Sequence, residues 1–239
     1  MTLAIFDLDN TLIAGDSDYL WGQFLVDQGI VDRDAYEAAN AHFYEEYKRG
    51  RLDIDEFLTF ALKPLSEHPP GQLLEWRAAF VREKIEPILL PAARVLIEHH
   101  RSLGDTLMII TATNRFVTEP IAAAYGIEHL IATAPEFIDG RYTGRYVGIP
   151  CFQAGKVTRL EAWLAEHDRA LNGSWFYSDS HNDLPLLERV AHAVAVDPDD
   201  ALAARALAAG WSIISLREDA CPDHHLQRVE TRPQPFRIK

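Results

Sequence analysis

The chain has 239 residues, with 36 acidic against 23 basic side chains and a formal net charge of −13. That length can bury a hydrophobic core without disulfide staples, and 48% apolar with 25% charged residues is a globular mix rather than a disordered one. So large an acidic excess repels nucleic acid and anionic membrane surfaces, and no basic patch offsets it: the densest cluster, Lys48, Arg49 and Arg51, is flanked by acidic residues.

Residues 3–6 are a short unbroken apolar run, which predicts a strand covered on both faces, as in a parallel sheet. The run stops at Asp7, too early for the hydrophobic region of a signal peptide. No apolar run reaches the roughly 20 residues of a membrane helix, so the chain is expected to be soluble and cytoplasmic. The two cysteines, Cys151 and Cys221, have no close partner and fit a reducing compartment. From Asp18 to about Pro87 the apolar spacing is helical. Tyr19, Leu20, Phe24 and Leu25 share one face, Tyr36, Phe43, Tyr44 and Tyr47 a second, and Ile54, Phe57, Leu58 and Leu62 a third. Asp53, three residues before Glu56, is placed to cap the last of these. Pro69, Pro70 and Gly71 mark a loop before a helix centred on Leu74 and Phe80.

Strand and helix alternate after Pro91. Helices are expected at 92–102, 114–125 (with Pro120 in its first turns), 155–166 and 184–190, and strands at 106–110, 174–177, 193–196 and 211–215. Asp139-Gly140 signals a hairpin within 136–147. This order predicts a doubly wound, mostly parallel α/β sheet. The helical block of about seventy residues after the first strand is too long for a crossover and is expected to be a cap. Residues 1–15 and 88–216 then form the core, 16–87 the cap, and 217–239 a surface tail.

In such a sheet the ligand sits beyond the carboxyl ends of the strands. Three predicted strands run into polar segments there: Asp7-Leu8-Asp9-Asn10-Thr11, Thr111-Ala112-Thr113-Asn114, and Ser178-Asp179-Ser180-His181-Asn182-Asp183. Four carboxylates gathered at one end repel one another, and a hard divalent cation with oxygen ligands relieves this, magnesium being the natural choice. Without a Cys/His ligand set, zinc is disfavoured. Taken singly, Asp7 or Asp9 suits a turn, Thr111 a helix cap, Lys156 a solvated surface, and Asp183 the start of a helix.

Together these segments resemble the haloacid dehalogenase superfamily of phosphatases. Asp7-Leu8-Asp9-Asn10-Thr11-Leu12 is similar to its DxDxT signature, and Thr111, Lys156 and the 179–183 segment follow in the family's order. The insert after the first motif and the 136–147 hairpin resemble the subfamily that includes phosphoserine phosphatase, with a Rossmann-like core. The resemblance implies Asp7 as nucleophile, forming an aspartyl-phosphate, and Asp9 as general acid and then base. It implies phosphoryl contacts from Thr111 and from the backbone N–H groups of Leu8 and Ala112, with Lys156 offsetting the charge. Magnesium would be held by Asp7, the Asp9 carbonyl and Asp179, with Asp183 binding it directly or in support.

The same resemblance places the choice of leaving group in the cap. Asp16 falls where phosphoserine phosphatases contact the substrate ammonium, while Asp18 is expected to begin the first cap helix. Their arginine for the substrate carboxylate has no counterpart in 57–62, the next cation being Lys63. An unpartnered carboxylate is costly in a closed site. The expected substrate is therefore a small amine-bearing phosphomonoester such as histidinol phosphate, with phosphoserine as the alternative. A phosphotransferase and a non-catalytic phospho-ligand-binding protein are further alternatives. Tyr19, Trp21, Phe43, Tyr44, Tyr47 and Phe60 suit either a ring-binding wall or the core of the cap. Arg115 is a further candidate phosphate contact and His181 a candidate substrate contact. His99, His100, Cys221, His224 and His225 are expected at the surface.

Overall fold

The computed structural model describes residues 2–217. After β1 (Leu3–Phe6) come four helices, α1 (Ser17–Asp27), α2 (Arg33–Lys48), α3 (Ile54–Glu67) and α4 (Pro70–Phe80), which make the helical cap. Loosened and tightened turns over Val81–Ile85 and Glu86–Ile88 lead to α5 (Pro91–Ser102). The way into the cap and the way out run side by side: Ile13 bridges Leu89, and the Ala14 and Leu90 N–H groups donate to the carbonyls of Ile88 and Leu12. The Tyr125 hydroxyl ties both passes together, donating to the Leu12 carbonyl and accepting from the Leu90 N–H.

The core continues with β2 (Thr106–Asn114), α6 (Arg115–Ala124), β3 (His129–Ile138), β4 (Arg141–Val147), α7 (Ala154–Glu166), β5 (Trp175–Ser178), α8 (Leu184–Leu187), β6 (His192–Val196), α9 (Asp200–Ala209) and β7 (Ser212–Ile214). One sheet runs β4-β3-β2-β1-β5-β6-β7, parallel throughout except for the β3–β4 hairpin. The chain leaves β1 to one side for β2 and β3 and returns to its other side at β5, so the crevice opens at the ends of β1, β2 and β5. β1 is apolar without interruption because both its faces are covered. Ala4 and Phe6 join the cluster of α5, α6 and the cap helices, while Leu3 and Ile5 join that of α7, α8 and α9. Each large side chain so buried contributes about 2 kcal/mol. No helix among the described residues is long and apolar enough to cross a membrane.

Several elements differ from the expectation. β2 runs on through Thr111 to Asn114, and β3 begins at His129, pairing with β2 before it turns into the hairpin. The helix expected at 184–190 shrinks to Leu184–Leu187 after a tight turn over His181–Asp183. α9 has no forecast in the apolar spacing because its alanines provide little contrast between faces; Asp199 caps it and Gly210, at φ 70°, ends it. Pro120, the sixth residue of α6, lies in its second turn. It cannot donate to the Phe116 carbonyl four residues back, and the Arg77 guanidinium does so instead at 3.1 Å. His100, expected at the surface, is fully buried with Asp105 at 2.9 Å on Nδ1 and the Tyr177 hydroxyl at 2.7 Å on Nε2. Cys221, His224 and His225 lie outside the described residues, as does the tail beyond Arg217.

Candidate active site

Asp7 follows β1 directly, and its N–H donates to the Tyr177 carbonyl of β5 at 2.8 Å, which holds it at the mouth of the crevice. The chain then folds back tightly: the Leu8 carbonyl accepts from Leu12 N–H, and Asn10 takes φ 56°. Lys156 enters from the opposite side on the first turn of α7. That turn is shaped by Gln153 at φ 47° and by Gly155, where a Cβ would lie 2.1 Å from the Pro150 carbonyl oxygen. Lys156 is 4% exposed, and its ammonium lies 2.7 Å from Asp7 and 2.7 Å from each oxygen of Asp183. It is not a solvated surface lysine. Burial works to lower its pKa, but Asp183 and Asp7 outweigh this and hold the ammonium above the ordinary lysine range.

Asp183 also accepts from the Ser178 hydroxyl at 2.7 Å. Both its oxygens are thus engaged by Lys156, the supporting one of its two expected roles. Asp7 is pushed up to about 7 by burial, which Lys156 opposes while the charges of Asp183 and Asp9 add to it. Asp179 is raised well above its usual range by burial and by the charges of Asp7 and Asp183; Thr11 donates to it at 3.3 Å.

These buried carboxylates outnumber the one ammonium among them, and their donors are all oxygen, which suits Mg²⁺. Among the described residues no three His, Cys, Asp or Glu side chains enclose a metal by themselves. Asp7 and Asp179 are the carboxylates there that could hold such an ion, with the Asp9 carbonyl that the family resemblance implies.

Asp9 is held from two elements. Ser17 N–H, at the start of α1, donates to Oδ1 at 2.6 Å, and Thr113 and Thr111 of β2 donate to Oδ2 at 2.8 and 3.3 Å. Ser17 and Thr113 were not picked out from the sequence; Thr113 stood only within the polar segment after the second expected strand, which ended at residue 110. Asp16, not Asp18, caps α1, accepting from the Asp18 and Tyr19 N–H groups at 3.0 and 2.9 Å. Burial and the nearby Asp9 raise Asp16 to about 7. Asp18 is raised well above its usual range by burial and by Asp16 and Asp9, and accepts from Asn114 at 3.3 Å.

A pocket with about 600 Å³ of empty space joins these groups to the cap. Asp7, Asp9, Thr111, Ala112 and Lys156 form its floor, Asp16 and Asp18 its side, and Tyr19, Phe43, Tyr44, Tyr47 and Phe57 its aromatic wall. Two rings proposed for that wall lie elsewhere. Trp21 is buried against Phe24, Phe80 and Phe116, and Phe60 packs on Tyr36 and Phe43 outside the pocket lining. Arg115 also fails as a phosphate contact: it is exposed and donates to the Leu130 carbonyl at 2.7 Å, drawn sideways along β3. His181 donates its N–H and turns Nδ1 to Asp199, at 2.8 and 2.7 Å, and faces Gly50 of the cap. Among the described residues Lys156 is the one cation lining the pocket.

Residues 4–188 match the family model of haloacid dehalogenase-like hydrolases. The chain belongs to that family. It is 45% identical over 219 residues to the histidinol-phosphatase of Neisseria meningitidis, covering 90% of this chain and 99% of that protein. It is 30% identical to phosphoserine phosphatase SerB1 of Mycobacterium tuberculosis, over 90% of this chain and 70% of the relative. A Bordetella pertussis protein of unknown function superposes with a TM-score of 0.86 at 45% identity, over 91% of this chain and all of that one. A phosphoserine phosphatase solved as a phospho-aspartyl intermediate analogue shares the fold at a TM-score of 0.69 and 17% identity, over 95% and 98% of the two chains. These relatives put the chain among the family's phosphatases.

Proposed function

We propose that this phosphatase is a Mg²⁺-dependent phosphomonoesterase that works through an aspartyl-phosphate, and that its substrate is histidinol phosphate. The observation that carries the substrate reading is the pocket lining: two carboxylates, Asp16 and Asp18, beside aromatic rings, and no arginine or lysine except Lys156 on the floor. An ammonium and a flat heteroaromatic ring suit such a lining, through charge pairing and stacking. A substrate carboxylate does not, since it would be desolvated beside Asp16 and Asp18 without a cation. The histidinol-phosphatase relative, at 45% identity, supports the same reading.

In the first step an Asp7 oxygen attacks phosphorus as the bond to the leaving alkoxide breaks, and Asp9 gives the alkoxide its proton. In the second, Asp9 takes a proton from water as that water attacks the phosphoryl group on Asp7, and phosphate leaves. Lys156 keeps Asp7 aimed and offsets charge on the phosphoryl oxygens, and Thr111 donates its hydroxyl to one of them, with the N–H groups of Leu8 and Ala112. Bound Mg²⁺, held by Asp7, Asp179 and the Asp9 carbonyl, would neutralise charge on the phosphoryl group. Asp183 braces Lys156.

The test is phosphate release from histidinol phosphate and from phosphoserine under Mg²⁺. Histidinol phosphate is expected to give the higher kcat/KM by at least about tenfold, the worth of one lost ionic contact. Preference for phosphoserine would overturn the substrate reading, and activity untouched by chelation would overturn the metal.

A further inference from the structure

We infer that Thr113 is the positioning residue that keeps Asp9 in its acid and base orientation while Thr111 is occupied with substrate. This rests on the reading of Asp9 as proton donor and acceptor. In the structure Asp9 Oδ2 faces two hydroxyls, Thr113 at 2.8 Å and Thr111 at 3.3 Å. A threonine hydroxyl has one proton to give. Thr111 Oγ1 already accepts from the Thr113 N–H at 3.2 Å. Once Thr111 turns its proton to a phosphoryl oxygen, it no longer donates to Asp9. Thr113 then supplies the remaining side-chain donor to Oδ2, and the Ser17 N–H still holds Oδ1.

Thr113 is 6% exposed and lines the floor of the pocket, so its hydroxyl has little water to turn to. The two threonines can divide the work because both bring a hydroxyl to Asp9 Oδ2 from the end of β2, so one can turn to the phosphoryl site while the other stays with the acid. Without Thr113, Asp9 Oδ2 loses its shortest contact, and the carboxyl swings about the single anchor from α1. The cost falls on protonation of the leaving group, and it grows as that group becomes more basic.

The experiment compares Thr113→Val, which keeps the shape and removes the hydroxyl, with Thr113→Ser, which keeps the hydroxyl. The readout is kcat/KM with Mg²⁺ for p-nitrophenyl phosphate, whose leaving group needs no proton, and for a simple alkyl phosphate, whose leaving group does. For Thr113→Val the loss on the alkyl ester is expected to exceed that on the aryl ester by about tenfold, part of the range that general acid catalysis spans, and Thr113→Ser should restore the ratio. Equal losses on both esters, or no rescue by serine, would overturn the proposal. Asp9→Asn is measured alongside. If it too shows no dependence on the leaving group, the reading of Asp9 fails and Thr113 with it; if it is steeply dependent and Thr113→Val is not, Thr113 alone is wrong.

Discussion

Asp183 presents both carboxylate oxygens to the Lys156 ammonium, each at 2.7 Å, and takes a further hydrogen bond from Ser178. Lys156 therefore reaches Asp7 from a fixed base. Asp183→Asn removes the opposing charge from a buried cation, and changes of this kind cost several kcal/mol. Melting temperature and kcat should both drop markedly while the Mg²⁺ concentration for half-maximal activity changes little. Asp179→Asn should do the reverse, raising that concentration at least about tenfold, as expected when an oxygen ligand loses its charge. A metal titration of both variants checks this, and a large metal shift in Asp183→Asn would return that residue to the ligand set.

Asp18 lines the pocket and accepts from Asn114 at 3.3 Å. Asp18→Asn is expected to lower kcat/KM for histidinol phosphate by about tenfold, the order of one charge-assisted hydrogen bond. The loss on p-nitrophenyl phosphate, which carries no cation, should be clearly smaller. Parallel losses on both would show that Asp18 does not read the leaving group.

The acidic pocket also couples folding to pH. The free carboxyl of an unfolded aspartate titrates near 4, whereas burial and Asp9 raise Asp16 to about 7 in the folded chain. Between these values the folded state binds the extra proton, so stability falls as pH rises through the window. In metal-free wild type, this contribution lowers the melting temperature between about pH 4 and pH 7. Asp16→Asn should flatten the slope, which thermal melts across the range would reveal. An unchanged slope would mean that Asp16 remains ionised on folding.

Arg77 substitutes for the N–H that Pro120 lacks, donating to the Phe116 carbonyl with its guanidinium 4.8 Å from the centre of the Phe116 ring. Arg77→Ala leaves that carbonyl short of a donor and should cost about 1–3 kcal/mol. Adding Pro120→Ala returns the intrahelical donor, so the double variant should recover part of the loss. Denaturant melts of both single variants and the double variant check the coupling. Strict additivity would show that the two sites are independent.

The polar run after β1 was legible because strand ends in a parallel sheet are where polarity returns, and it marked Asp7 and Asp9; Thr111 and Lys156 were named only through the resemblance to the phosphatase family. The helices of the cap were legible from their spacing, and Asp53 does cap α3, accepting from the Asp55 and Glu56 N–H groups. Arg115 was misjudged because its place beside the second motif says nothing of direction, and the first residue of α6 points along β3. The aromatic residues were divided correctly only in three dimensions: Tyr19 and Trp21 are two positions apart on α1, and helical rotation sends one to the pocket and the other into the core.

What the sequence determined by itself was local. An apolar run followed by carboxylates specifies a buried strand with a reactive end, and the charge it gathers calls for a hard cation. The tertiary structure decided which distant groups meet. Lys156 and Asp7, 149 positions apart, are brought to 2.7 Å, and Thr113 reaches Asp9 across 104 positions. These contacts depend on β1 lying between β2 and β5, and on a turn at Gly155 where a side chain has no room. Spacing along a chain records the faces of its elements; which faces come together is set by how the sheet and cap pack.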